Sequence, residues 1–103
     1  MPFRDPKSQL RDIRESIDAI DEFVRGMNID DYCKDLKTQA AVERKLLVIS
    51  EAAILCPGVP WRDIRGIGNW LRHQYDCVNS EDIWNTISDD LPPLKGAIEK
   101  ALQ

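Results

Sequence analysis

His73 is the only histidine in this 103-residue chain, and the residues around it have types suited to acid–base chemistry on a phosphodiester. At 100° per residue, Arg65, Asn69, Arg72, His73 and Asp76 fall within about a 100° sector of a helix, with Ile64, Ile67, Trp70 and Leu71 toward the core. A histidine one turn from an asparagine and beside an arginine supplies a proton shuttle, a hydrogen-bonding group and a fixed positive charge. In RNA the neighbouring 2′-hydroxyl becomes a nucleophile once a base takes its proton, and an arginine can stabilise the charge that develops on the phosphate. No cluster of carboxylates points to bound magnesium. A solvated helix face has the same periodicity, so spacing alone leaves both readings open.

Gly66 and Gly68 stand inside this helical pattern, where each costs roughly 1 kcal/mol relative to alanine. Either tight packing against a neighbouring helix or room for a partner backbone or nucleic-acid strand accounts for them. Cys33, Cys56 and Cys77 form no C-x-x-C pair, and their odd number suggests free thiols. Cys77 follows His73 by four residues, but the other spacings are arbitrary for zinc. No cofactor is expected.

The elements that must hold this stripe are helices. Leu10, Ile13, Ile17, Ile20, Val24 and Met27 recur at steps of three and four, predicting a helix from Asp5-Pro6 to the region of Gly26. Asn28 to Lys37 is a short polar connector in which Tyr32 and Leu36 could fold back as a turn or a single helical turn. From Thr38 onward, Val42, Leu46, Ile49, Ala53 and Cys56 predict a second long helix. Pro57-Gly58-Val59-Pro60 breaks it, and a third helix starts near Trp61.

A fourth helix carries Ile83, Trp84, Ile87 and Leu91 on one face, with Ser80 as its expected N-cap and Glu81 and Asp82 in its first turn. Pro92-Pro93 predicts a kink or a fresh helix, after which Leu94, Ala97, Ile98, Ala101 and Leu102 resume helical spacing. No strand alternation or internal repeat competes with this pattern. The expected architecture is all-α: one domain over residues 1–103, an up-down bundle of four to five helices.

The composition is that of an ordinary globular chain, 43% hydrophobic and 31% charged. A formal charge of -4 argues against a protein that coats nucleic acid non-specifically, while leaving room for a local basic site. No run of 18 apolar residues and no apolar segment in the polar N-terminus suggests a membrane span or secretion signal, so the cytoplasm is the expected location.

Arg62-Asp63-Ile64, Gly66 through Tyr75, Trp84-Asn85-Thr86 and Asp90-Leu91-Pro92-Pro93-Leu94 together resemble the HepT-like toxins of the HEPN superfamily. The resemblance extends to Arg11-Asp12-Ile13, Lys37 to Val42, Ile49 to Ala53 and Pro60-Trp61, and so covers almost the whole chain. It implies a helical, usually dimeric, metal-independent ribonuclease paired with a minimal nucleotidyltransferase antitoxin. The family signature is an arginine, four residues, a histidine, one residue and a tyrosine. His73 and Tyr75 fit it, and Asn69 matches the polar residue that follows the arginine, but Gly68 stands where the arginine belongs.

By this resemblance His73 is the acid or base, Asn69 orients the phosphate or the histidine, and Arg72, with Arg65, supplies the charge. Helical side chains lean toward the N-terminus, so neither arginine reproduces the usual geometry within one subunit; a homodimer could bring either toward the partner copy's histidine. Tyr75 inherits the position to which the antitoxin attaches AMP, although packing at a helix end equally explains a tyrosine there. A non-catalytic HEPN module that binds the nucleotidyltransferase is the alternative implied by Gly68. A purely structural dimerisation domain would leave the grouping of Asn69, His73 and Tyr75 to chance.

Overall fold

The computed structural model describes residues 6–54 and 79–103, and every regular element among them is helical. The order is α1 (Pro6–Phe23), α2 (Ile29–Lys34), α3 (Leu36–Ile54), α4 (Ser80–Asn85), a π-helical turn (Thr86–Asp90) and α5 (Leu91–Leu102). The third helix expected from near Trp61 lies outside the described residues, as does Asp5, the expected start of the first helix.

The three-four spacing of α1 buries Leu10, Ile13, Ile17 and Ile20 against Val42, Leu46 and Ile49 of α3, and α1 packs more extensively on α3 than on any other element. Its second neighbour is α5, which contributes Leu91, Leu94 and Ile98 to the same core. Burying such aliphatic side chains stabilises the fold by about 1.5–3 kcal/mol each relative to leaving them in water. At the periphery, Lys95 Nζ meets Asp18 Oδ1 at 2.7 Å and joins α5 to α1. Ala101 is exposed, outside the buried part of the α5 face.

The helix ends have identifiable causes. α1 stops at Phe23, earlier than its apolar pattern suggested, and Val24 and Met27 pack on the core from the turn that follows. Gly26 has a φ of 77°, a left-handed conformation that costs a glycine little and would strain any other residue. The connector contains a true helix: Asn28 Oδ1 accepts from the Asp31 N–H at 2.8 Å, and Asp31 Oδ2 accepts from the Asn28 N–H at 3.1 Å. This reciprocal box satisfies two donors that a helix start otherwise leaves unpaired. Asp35 then ends α2 and serves α3, its Oδ1 accepting from the Thr38 N–H at 3.0 Å and its Oδ2 from the Thr38 hydroxyl at 2.7 Å.

Two expectations about these helices are corrected. α3 begins at Leu36, before Thr38, and Leu36 projects outward at 77% exposure while Tyr32 is fully buried. The N-cap of α4 is Asn79, whose Oδ1 accepts from the Asp82 N–H at 2.8 Å, so Ser80 is the first helical residue and its hydroxyl is directed elsewhere.

The chain does not break at Pro92-Pro93. The prolines occupy the first turn of α5, and the disturbance lies just upstream as the π turn, where the Leu91 N–H reaches back five residues to the Thr86 carbonyl. Prolines at 92 and 93 offer no N–H to the carbonyls of Ser88 and Asp89, and their rings crowd those carbonyls. Widening the preceding turn relieves the crowding and keeps α4 and α5 in one helical run.

Candidate functional site

Arg65, Asn69, Arg72, His73 and Tyr75 lie outside the described residues, as do Gly66, Gly68, Cys56, Cys77 and Asp76. The described structure supplies the two elements that flank the segment carrying them in sequence. One is the C-terminal end of α3 at Ile54; the other is Asn79, the cap of α4.

The second flank is fixed by a chain of hydrogen bonds through three elements. Ser80 Oγ donates to Gln39 Oε1 at 2.9 Å across 41 residues of sequence, and Gln39 Nε2 donates to the Tyr32 carbonyl at 2.9 Å. Gln39 therefore spends both ends of its amide: it holds α4 with one and the C-terminal turn of α2 with the other. The same junction is apolar beneath, where the rings of Tyr32 and Trp84 stand 5.4 Å apart at 42°, within the range of favourable aromatic pairs. Gln39 is in the first turns of α3 and Ile54 is its last residue, so with a rise of 1.5 Å per residue the two flanks are attached about 22 Å apart along that helix.

The described groups set the electrostatics of the second flank. Asp30 and Asp31 of α2 and Glu81 and Asp82 of α4 are exposed, and the two helices pack on each other. Each carboxylate pair lies in the first turn of its helix, where it meets the positive end of the helix dipole. This exposed acidic rim is unfavourable for an anion such as phosphate.

Burial, with smaller contributions from Glu43 and Cys33, pushes the Tyr32 phenol up to about 12, away from the range in which it could exchange protons at neutral pH. Among the described residues its buried hydroxyl has no hydrogen-bond partner, and neither does Gln9 Oε1 on α1. The carboxyl of Asp35 is held below its usual range by hydrogen bonds from the Thr38 backbone and hydroxyl, as suits a helix cap. Cys33 is an exposed free thiol. Among the described residues no three His, Cys, Asp or Glu side chains group to hold a metal ion, and no described helix is long and apolar enough to cross a membrane.

Comparison with known proteins gives a consistent result. The sequence profile of a family described as ribonuclease HepT-like matches residues 13–59 and 55–101. A protein of Thermococcus cleftensis named "Probable ribonuclease HepT" is 39% identical over 94% of this chain and 96% of its own length. A protein of Methanocaldococcus jannaschii named for RNase activity is 36% identical over 89% of this chain and 83% of its own. Another, from Caldanaerobacter subterraneus subsp. tengcongensis, is 32% identical over 95% of both chains. No solved structure matches.

Proposed function

This chain belongs to the HepT-like family, and from that premise we propose that it is a metal-independent endoribonuclease, the toxin of a toxin–antitoxin pair. The observation that carries the reading is full-length similarity to proteins named as ribonucleases, at up to 39% identity, in a chain whose only histidine falls within the family signature. His73 takes the proton of a 2′-hydroxyl as the oxygen attacks the adjacent phosphorus, and an acid returns a proton to the departing 5′-oxygen. The products are a 2′,3′-cyclic phosphate and a 5′-hydroxyl. Asn69 orients the phosphate or the imidazole, and Arg72, with Arg65, stabilises the charge on the non-bridging oxygens.

In this reading the protein is a cytoplasmic homodimer in which the arginines of one copy approach His73 of the other, which answers the displacement caused by Gly68. Its antitoxin is a minimal nucleotidyltransferase that attaches AMP to Tyr75, closing the site with bulk and negative charge. ATP is that partner's substrate, and the ribonuclease itself takes no cofactor.

The chemistry is tested with a synthetic RNA carrying a 2′-deoxy substitution at its principal cleavage position. Protection of that bond, with a 2′,3′-cyclic phosphate at the same position in the all-ribose strand, is expected; cleavage that ignores the substitution contradicts the mechanism. Gly68 favours a second reading, a HEPN module that binds the nucleotidyltransferase without cutting RNA. Overproduction separates the two: the enzyme slows growth and His73→Ala relieves it, whereas the binding module is harmless in both forms.

A further inference from the structure

We draw no further inference here: the strongest candidate, the surface patch over α2 and the starts of α3 and α4, where Ile29 and Leu36 are exposed along with the carboxylates of Asp30, Asp31, Glu81 and Asp82, carries nothing because nothing in the structure shows what covers it.

Discussion

Tyr32 shows how a single residue can both hold the frame and carry an internal conflict. Its ring is wholly buried against Trp84, while its enclosed hydroxyl has no partner among the described residues. A buried unpaired hydroxyl costs about 1–3 kcal/mol, so Tyr32→Phe is expected to leave stability unchanged or raise it at pH 7 by up to that amount. Tyr32→Ala, which also removes the ring, should destabilise by about 3–5 kcal/mol. Denaturant melts of the two variants check both signs.

The same phenol predicts a pH dependence. Its folded-state value, pushed up to about 12, lies above the ordinary value of 10.0, so the unfolded chain loses this proton first. The stability Tyr32 contributes is complete below about pH 10 and is lost as pH rises toward 12. Denaturation between those limits should be less steep in pH for Tyr32→Phe than for wild type; identical slopes would mean that the phenol is not held neutral in the folded protein. Nothing local in the sequence announces this role, because Tyr32 sits in a polar connector and acquires its burial from α4, some fifty residues later.

Helix starts were only partly readable at the scale of elements. Asn79 and Ser80 are both good N-cap residues, and sequence preference alone does not choose between them. The structure gives the cap to Asn79 and directs Ser80 to Gln39. Asn79→Ala should therefore cost about 1 kcal/mol through loss of the cap, measured by chemical denaturation. If Ser80→Ala instead reproduced a pure capping loss, with no coupling to Gln39 in a double-mutant cycle, the assignment would be reversed.

The apolar face of α1 was legible up to its end at Phe23, because its three-four spacing persists through Ile13, Ile17 and Ile20, all essentially inaccessible. Ile17→Ala should accordingly destabilise by about 2–5 kcal/mol in equilibrium unfolding, the usual cost of deleting a buried aliphatic side chain. The π turn was not legible. Proline announces a disturbance, but whether it becomes a break, a kink or a widened turn depends on how Ile87, Leu91 and Leu94 can remain buried together.

At the scale of the molecule, hydrophobic periodicity was enough to establish that the described helices share a core, since the burial pattern of α1, α3 and α5 follows from residue spacing. The candidate site was read in a different way, and its residues lie outside those the structure describes. Periodicity placed Arg65, Asn69, Arg72 and His73 in one sector without separating catalysis from a wet helix face; the signature around His73 and Tyr75 provided the chemical reading. Gln39 escaped notice because its significance comes from a hydrogen bond spanning 41 positions, which no local pattern encodes.

Whether His73 makes this chain a ribonuclease despite glycine at position 68 is decided by incubating the purified protein with total cellular RNA in excess EDTA, beside His73→Ala and without a partner protein. Discrete cleavage by the wild type and loss of at least about 99% of it in the variant are expected, since general acid–base catalysis contributes on the order of 10²–10⁴-fold. Intact RNA with both proteins, in a preparation that is folded and dimeric, or equal cleavage by both, would contradict that role for His73.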